Sequence, residues 1–221
     1  MEVKELITML AEESGSTLYM TLASTVFAYL LGLPLGVALV TTVKGGLTPV
    51  PLLNKCLNFI VNIVRSVPFL ILLIAIQPFT RLIAGKSYGP TATVVPLVAA
   101  AIPFIARMVE ASILEVDAGV IEAAQSMGAS PLQIIWKVLL PEAKTSLISG
   151  ATIALATILG YSAMAGIVGG GGLGDVAIRY GYYRYQTDIM IITVILLIVY
   201  VQILQAIGTR IARATDKRIR E

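Results

Sequence analysis

The sequence predicts an all-α integral membrane protein with five transmembrane helices. Hydrophobic residues make up 57% of the 221 residues and charged residues only 13%, whereas a soluble domain is usually about 25% charged and about 45–50% apolar. The mean hydropathy of +0.88 supports the same class. Five apolar segments are each long enough to cross a hydrocarbon core of about 30 Å at about 1.5 Å per residue. The length suits a single domain, residues 1–221, built as one helical bundle.

The predicted spans lie near residues 16–43, 57–83, 89–108, 146–167 and 188–209. Prolines fall inside the first three of them: Pro34, then Pro68 and Pro78, then Pro96 and Pro103. A proline removes a backbone donor and clashes with the preceding turn, so we expect kinks in these helices. Ordinary bundle packing and the shaping of a pathway would both make use of such kinks.

Basic residues are divided unequally between the two sides of the membrane that five spans define. With the N-terminus outside, the inner side carries Lys44, Lys55, Arg107, Lys137, Lys144, Arg210, Arg213, Lys217, Arg218 and Arg220, and the outer side carries Lys4, Arg81, Lys86, Arg179 and Arg184. The positive-inside rule places the larger set in the cytoplasm. The sequence therefore predicts an external N-terminus and a cytoplasmic C-terminus.

The types of residue present exclude several kinds of site. The chain has no histidine and one cysteine, Cys56, so it cannot assemble a Ser-His-Asp or Cys-His nucleophile or an intramolecular disulfide, and we expect no zinc site. A phosphate-binding loop of the G-x-x-x-x-G-K-[ST] type is also missing. We therefore expect neither catalysis nor a cofactor in this chain. The chain has a net charge of +3, and its basic residues lie beside apolar spans. This placement indicates membrane lipid and no nucleic acid as a partner.

The longest polar interval, residues 109–144, contains signals for two short helices. Asp117 is a suitable N-cap for the first helix, and Gly128 a suitable left-handed terminator. Ser130, Pro131 and Gln133 supply a capping serine, a proline at the first helical position and a capping box for the second helix. The second helix is predicted to carry Leu132, Ile135, Trp136, Leu139 and Leu140 on one apolar face. By periodicity alone this pair could lie in the lipid headgroups.

The same interval resembles the EAA loop of binding-protein-dependent ABC importer permeases. The matching residues are Glu122, Ala123, Ala124, Gly128, Ala129, Leu140 and Pro141. The family pattern has isoleucine two positions before the Leu-Pro pair, where this chain has Val138. The resemblance implies that the first helix of this interval docks in a groove of a separate ATPase subunit, which binds ATP and magnesium. The docked helix would transmit the movement of that ATPase to the permease. The small side chains would let the backbone of the partner approach closely, and Glu122 would supply a charged anchor.

A glycine run, VGGGGLGD at residues 168–175, fits the G-x-G-x-x-G pattern of dinucleotide sites. That pattern is meaningful only between a strand and a helix, and an apolar span precedes this one. We therefore predict a sharp turn at the outer mouth, formed by Gly171, Gly172 and Gly174. Tyr182 and Tyr183 follow it in a tyrosine-rich segment, which suits either an aromatic belt at the interface or a surface that receives a soluble binding protein.

A second resemblance narrows the family. GYSAMAGIVGGGGLGD with YGYYRY, VRSVPFLILL and PFIARMVEASILEV are similar to the methionine-importer branch of these permeases. The similarity covers nearly the whole chain. It implies a five-helix subunit of a bacterial cytoplasmic membrane that forms a homodimer, with the pathway on the two-fold axis. It also implies two ATPase copies below and an extracytoplasmic methionine-binding protein above.

Candidate pathway residues lie within the spans. Arg65 is a charge inside the second span, which is expensive in hydrocarbon, so it either snorkels to the inner boundary or braces the kink at Pro68 and lines the pathway. Tyr161 and Met164 are candidates for a gate, because a flexible thioether can seal an apolar channel. Ordinary packing would use the same residues.

The sequence thus predicts a non-catalytic permease subunit of an ATP-driven amino-acid importer, most suited to methionine, that works by alternating access. An importer of the same family for another small solute is the nearest alternative, since the EAA loop does not report the substrate. A self-contained secondary carrier or channel, and an intramembrane enzyme, are more distant alternatives.

Overall fold

The computed structural model describes residues 3–216, and all regular secondary structure within that range is helical. In chain order the α-helices are α1 (Val3–Thr41), α2 (Pro51–Ser66), α3 (Phe69–Ala75), α4 (Gln77–Ala84), α5 (Pro90–Leu114), α6 (Ala118–Ser126), α7 (Pro131–Ile134), α8 (Leu140–Glu142), α9 (Lys144–Ala165), α10 (Gly172–Val176) and α11 (Thr187–Thr215). Turns of π-helix cover Ile135–Leu139 and Ala177–Tyr182, and a 3-10 turn covers Gly166–Val168. Lys217, Arg218 and Arg220, which the orientation argument uses, lie outside the described residues.

In the described part of the chain, four helical stretches are long and apolar enough to cross a membrane: Lys4–Thr41, Pro90–Leu114, Lys144–Val168 and Thr187–Thr215. The bent pair formed by α2 and α3 provides a fifth crossing if it is counted as one span. These four or five candidate spans confirm the predicted class, an all-α protein of the membrane.

The second predicted span, residues 57–83, is broken where the sequence predicts kinks. The chain bends by 102° between α2 and α3, and a further break at Ile76 separates α3 from α4. Pro68 lies at the bend with φ −56° and ψ 134°. The helix breaks here because a proline has no N–H to donate and disfavours the helical region for the residue before it. By contrast, helix α1 continues through Pro34, and helix α5 continues through Pro96 and Pro103.

The first helix begins earlier than the sequence predicts. The acidic stretch before residue 16 is helical from Val3 onward, and α1 has 39 residues. At about 1.5 Å per residue that is about 58 Å, well beyond the thickness of a hydrocarbon core. The N-terminal part of α1 is therefore available for contacts other than those of a lipid-spanning segment.

One compact unit contains residues 3–28, 67–101 and 154–205 of the described chain. Its apolar core includes Leu10 of α1, Leu173 and Val176 of α10 and Ile189 of α11. Leu173 and Val176 are fully buried. The short helix α10 is thus held in the unit by side chains from both ends of the sequence.

The other compact unit contains residues 29–66, 102–153 and 206–216. Leu39, Val61 and Ala106 form an apolar cluster there. Asn54 of α2 donates its Nδ2 hydrogen to the backbone oxygen of Leu39 at 2.7 Å, at the C-terminal end of α1. This bond satisfies one of the carbonyls that a helix end leaves without an internal partner.

Candidate functional site

The first helix of the loop at residues 109–144 has the caps that the sequence predicts. The Asp117 carboxylate accepts a hydrogen bond from the backbone N–H of Gly119 at 2.7 Å. At the other end Gly128 has φ +77°, and the N–H of Ala129 donates to the carbonyl of Ala124 at 3.1 Å. A left-handed glycine allows this reversal at little steric cost. The interval therefore contains a short helix, α6, that ends in a tight turn.

The second helix starts as predicted and then departs from the prediction. Ser130 and Gln133 form a complete capping box, in which Gln133 Oε1 accepts from the Ser130 N–H at 2.8 Å and Ser130 Oγ accepts from the Gln133 N–H at 3.4 Å. After one turn, the chain widens into the π-helical turn Ile135–Leu139. Ser130, Pro131 and Gln133 therefore act as their sequence positions indicate.

The predicted apolar face of the second helix is divided between exposed and buried side chains. Leu132 and Trp136 are 68% and 66% exposed, and the buried side chains are those of Ile134 and Leu139. Ile135 and Leu140 are only partly buried. A π-helical turn closes i→i+5 hydrogen bonds, so residues spaced for 3.6 per turn no longer share one face.

The residues of the EAA-like motif divide into an exposed set and a packed set. Glu122, Ala123 and Gly128 are exposed on α6 and its terminating turn. Ala124 is buried, and Ala129 is partly buried. Ala124 therefore packs inside its own unit, whereas the sequence reasoning offered both alanines to a partner. In the continuation of the loop, Leu140 is partly buried and Pro141 is exposed.

An open cavity of about 790 Å³ lies beside this loop, within the same unit. Its lining combines the segment before α6, the residues after Pro141 and the end of α11, and it includes Glu115, Asp117, Glu142 and Lys144. The loop is thus bordered by charged, solvent-accessible surface. Among the described residues, no group of histidine, cysteine or acidic side chains could hold a metal ion.

The glycine turn, residues 166–175, is a tightly packed structure in the other unit. Gly171 and Gly172 have φ of +80° and +77°, so the chain reverses there as the sequence predicts. Gly174 is required for a different reason, since a Cβ at that position would overlap the backbone oxygen of Ala163. The turn therefore lies directly against the last residues of α9.

Two side chains of α1 hold the start of α10, and the sequence reasoning missed both. Glu13 Oε2 accepts from the N–H of Gly172 at 2.7 Å, and Thr17 Oγ1 accepts from the N–H of Leu173 at 2.8 Å. The partners of the first bond are 159 residues apart. In the sequence, Glu13 and Thr17 are spaced by one helical turn, which places them on the same side of α1. That spacing does not indicate that their side-chain oxygens accept bonds from the glycine turn.

The segment that follows carries two arginines and four tyrosines. Arg179 pairs with Asp175 at 2.7 Å and lies 3.9 Å from Glu13 Oε1. The guanidinium carbons of Arg179 and Arg184 lie 5.3 and 4.7 Å from the centre of the Tyr180 ring, within the range of a cation–π contact. Three other rings are exposed: Tyr182, Tyr183 and Tyr185.

The pathway candidates occupy different environments. Pro68 marks the bend before α3, and Tyr161 of α9 stacks against Phe69, the first residue of α3. Met164 is about half exposed. Arg65 lies in the last turn of α2 with an exposed side chain. The structure thus brings Tyr161 to the bend through a neighbour, Phe69, that the sequence reasoning did not single out.

This helical membrane fold, with a capped loop helix and a long polar interval, is that of an importer permease. The chain matches the family described as binding-protein-dependent transport system inner membrane component over residues 28–221, and it belongs to that family. The probable D-methionine transport system permease protein MetI of Vibrio cholerae is 55% identical over 210 residues, which cover 95% of this chain and 93% of that protein. The protein of the same description from Pasteurella multocida is 47% identical over 202 residues, 91% of this chain and 93% of that one.

A solved structure shares both the fold and much of the sequence. A chain of the MetNI methionine ABC transporter, in an inward-facing conformation, superposes with a TM-score of 0.96 at 46% identity, covering 98% of this chain and 100% of that one. The chain is thus a multi-pass permease component of an ABC importer, in the MetI-like branch of the family.

Proposed function

We propose that this chain forms the membrane pathway of an ATP-driven methionine importer. The observation that carries the proposal is the joint similarity, over nearly the whole chain, to permeases named for D-methionine transport and to a chain of the MetNI methionine transporter. In this proposal residues 1–221 are one permease domain, and two copies assemble as a homodimer.

The surface of α6 supports a role in coupling to an ATPase. Glu122, Ala123 and Gly128 are exposed together on this helix and its terminating turn. A short helix with small side chains and one carboxylate suits a groove on a partner subunit. Ala124, Ala129 and Leu140, which are buried or partly buried, then support the helix from within the loop, and the exposed Pro141 follows them. ATP and magnesium bind to two copies of that partner, and this chain contributes no catalytic group.

The other unit supports a role in receiving and passing the solute. Gly171, Gly172 and Gly174 form a compact turn, and Tyr182 and Tyr183 are exposed beside it, so they suit an edge on which an extracytoplasmic methionine-binding protein docks. Pro68, Tyr161 and Met164 are proposed to line or gate the pathway. Arg65, which belongs to the unit of the EAA-like loop, is a further pathway candidate. The N-terminus is external and the C-terminus cytoplasmic in this arrangement.

The test is reconstitution of the chain in proteoliposomes with its ATPase and its binding protein. We expect methionine accumulation that requires ATP, and competition by other amino acids measures the specificity. Accumulation of a different small solute with no response to methionine would assign the chain to another substrate. Uptake by vesicles that contain this chain alone, driven by an ion gradient, would instead indicate a secondary carrier.

Two substitutions test the coupling surface. Glu122→Arg and Gly128→Trp are expected to abolish methionine uptake while ATP hydrolysis continues. A Cβ at Gly128 meets nothing within 4 Å, so the tryptophan should strain the backbone by about 1–2 kcal/mol without a clash inside the chain. Gly85→Trp is the matched control, because Gly85 has φ +73° and equally open surroundings. Glu12→Arg reverses another exposed carboxylate and should leave uptake unchanged. Normal uptake by both loop variants would contradict the assignment.

A further inference from the structure

The contact between α1 and the glycine turn uses two neighbouring side chains on two neighbouring amides. Glu13 and Thr17 lie one turn apart in α1 and accept hydrogen bonds from the consecutive N–H groups of Gly172 and Leu173. These amides open α10, where no intrahelical acceptor exists for them. Thr17 is 1% exposed and Leu173 is fully buried. The Thr17 bond is therefore sheltered from competing water, and the Glu13 bond is partly sheltered, because the Glu13 side chain is 23% exposed.

The glycine turn is also attached to two further elements of its unit. The N–H of Gly89, just before α5, donates to the carbonyl of Gly169 at 2.9 Å, and Thr93 Oγ1 donates to the carbonyl of Gly170 at 3.3 Å. On the side of α9, Gly174 lies in backbone contact with Ala163. Ala163 is the residue before Met164. The turn thus joins α1 and the start of α5 to the segment of α9 that carries the gate candidates.

Gly172 packs closely against the surface of α1. A Cβ on Gly172 would lie 2.7 Å from Thr17 Oγ1 and 2.8 Å from Met20 Cε. The backbone of the turn is therefore seated directly on the helix surface. Loss of the Glu13 bond would leave a buried N–H without a partner instead of allowing a shifted bond to replace it.

We propose that Glu13 is a positioning residue for transport. It holds the glycine turn on α1, so that the N-terminal part of α1, the turn and the end of α9 with Tyr161 and Met164 move as one body when the importer changes state. This inference rests on the proposed function. It assigns a role in the transport cycle to a carboxylate outside the EAA-like loop and outside the candidate pathway.

The hydrogen bond, rather than the ion pair, carries this role. Arg179 Nη2 is 2.7 Å from Asp175 and 3.9 Å from Glu13, and its side chain is 47% exposed. An exposed pair at that distance contributes little, and Arg179 already has Asp175. A glutamine at position 13 retains an acceptor oxygen for the Gly172 N–H but has no charge. It therefore separates the contribution of the hydrogen bond from that of the ion pair with Arg179.

The first arm of the test reads the contact without any solute. Hydrogen–deuterium exchange of the segment 171–176 is measured on the complete importer complex in nanodiscs. Glu13→Ala should exchange roughly three- to tenfold faster, as loss of one side-chain hydrogen bond predicts. Glu13→Gln and Arg179→Gln should stay near wild type. Glu12→Ala, which removes the adjacent exposed carboxylate, is the matched control. Unchanged exchange in Glu13→Ala would overturn the proposal.

The second arm measures methionine accumulated per ATP hydrolysed in proteoliposomes. Glu13→Ala should lower this ratio by roughly tenfold, the change that about 1.4 kcal/mol of lost coupling gives, and Glu13→Gln should restore it. Should Glu13→Ala fail to assemble, Thr17→Val removes the neighbouring acceptor with similar volume and should give the same pair of effects. Faster exchange with a wild-type ratio would mean that the contact serves the fold alone, and the proposal would fail. A wild-type complex that accumulates no methionine counts against the proposed substrate, because the exchange arm still reports the contact.

Discussion

The ring of Phe69 lies flat against the ring of Tyr161, with 4.5 Å between their centroids and 6° between their planes. Phe69 follows Pro68 at the bend between α2 and α3 and is only 7% exposed. Tyr161 belongs to α9, three residues before Met164. The stacked pair therefore joins the start of α3 to the part of α9 that carries the gate candidates, and it restricts the orientation of the Tyr161 ring.

This stack predicts an energetic coupling between the two rings. Phe69→Ala and Tyr161→Ala should each lower the thermal stability of the purified complex. In a double-mutant cycle their coupling should be about 0.5–1.5 kcal/mol, the usual contribution of an aromatic pair beyond its buried area. Tyr161→Phe keeps the ring and removes only the hydroxyl, so it serves as the control and should preserve stability and uptake. Additive effects of the two alanine substitutions would show that the rings do not stabilise each other.

The glycine turn predicts a sharp contrast between two glycine-to-alanine substitutions. Gly174→Ala places a methyl group on the backbone of Ala163, which cannot move away as a side-chain end could. We expect a loss of folded, membrane-inserted protein. Gly160→Ala adds the same methyl group in helix α9, where nothing lies within 4 Å, and should be neutral or stabilising by about 0.5–1 kcal/mol. Thermal unfolding in detergent compares them, and equal stability of the two variants would contradict the close approach at Gly174.

Features that depend on neighbours in sequence could be predicted, and features that depend on distant residues could not. The Asp117 cap, the left-handed Gly128 and the Ser130 capping box are local, because each is decided within a few residues. The bond from Gly172 to Glu13 spans 159 residues. Glu13 lies in an acidic N-terminal stretch, and nothing nearby in the sequence indicates that it accepts this bond. The sequence therefore predicts the turn at Gly172 but not the contact that holds the turn on α1.

Local periodicity also fails where the helix itself changes type. The apolar spacing from Leu132 to Leu140 predicts one apolar face for an α-helix. The π-helical turn Ile135–Leu139 changes the angle between successive residues, and in it Trp136 is exposed while Leu139 is buried. In the second span, Pro68 did indicate a kink. The size of the bend, 102°, depends on the packing of the segments that follow, which a single proline does not specify.

A charged cluster at the C-terminal part of α5 predicts a measurable contribution to stability. Arg107 Nη1 is 2.6 Å from Glu110 Oε2, and Arg107 Nη2 donates to Asn62 Oδ1 at 2.7 Å. The Arg107 and Glu110 side chains are each only about one-fifth exposed. Removing the carboxylate by Glu110→Ala leaves a partly buried guanidinium without its charged partner, and should lower the free energy of unfolding by about 1–3 kcal/mol.

The control for this cluster is Glu115→Ala, which removes an exposed carboxylate five residues further along the chain. It should change stability by less than about 0.5 kcal/mol. Asn62→Ala tests the other partner of Arg107 and should have an effect between those two. If Glu110→Ala unfolds at the same temperature as Glu115→Ala, the ion pair contributes nothing measurable.

The single native cysteine provides a test of the proposed orientation without any substitution. Cys56 is exposed near the start of α2, beside Lys55 on the side that the basic residues assign to the cytoplasm. A membrane-impermeant maleimide should therefore label Cys56 in inverted vesicles and leave it unlabelled in intact cells. Tyr185, which is 88% exposed, gives the opposite reporter: Tyr185→Cys in a Cys56→Ser background should react from outside. The reverse pattern at both positions would move the EAA-like loop to the external side of the membrane, where no ATPase could reach it, and the proposed coupling through Glu122 would have to be abandoned.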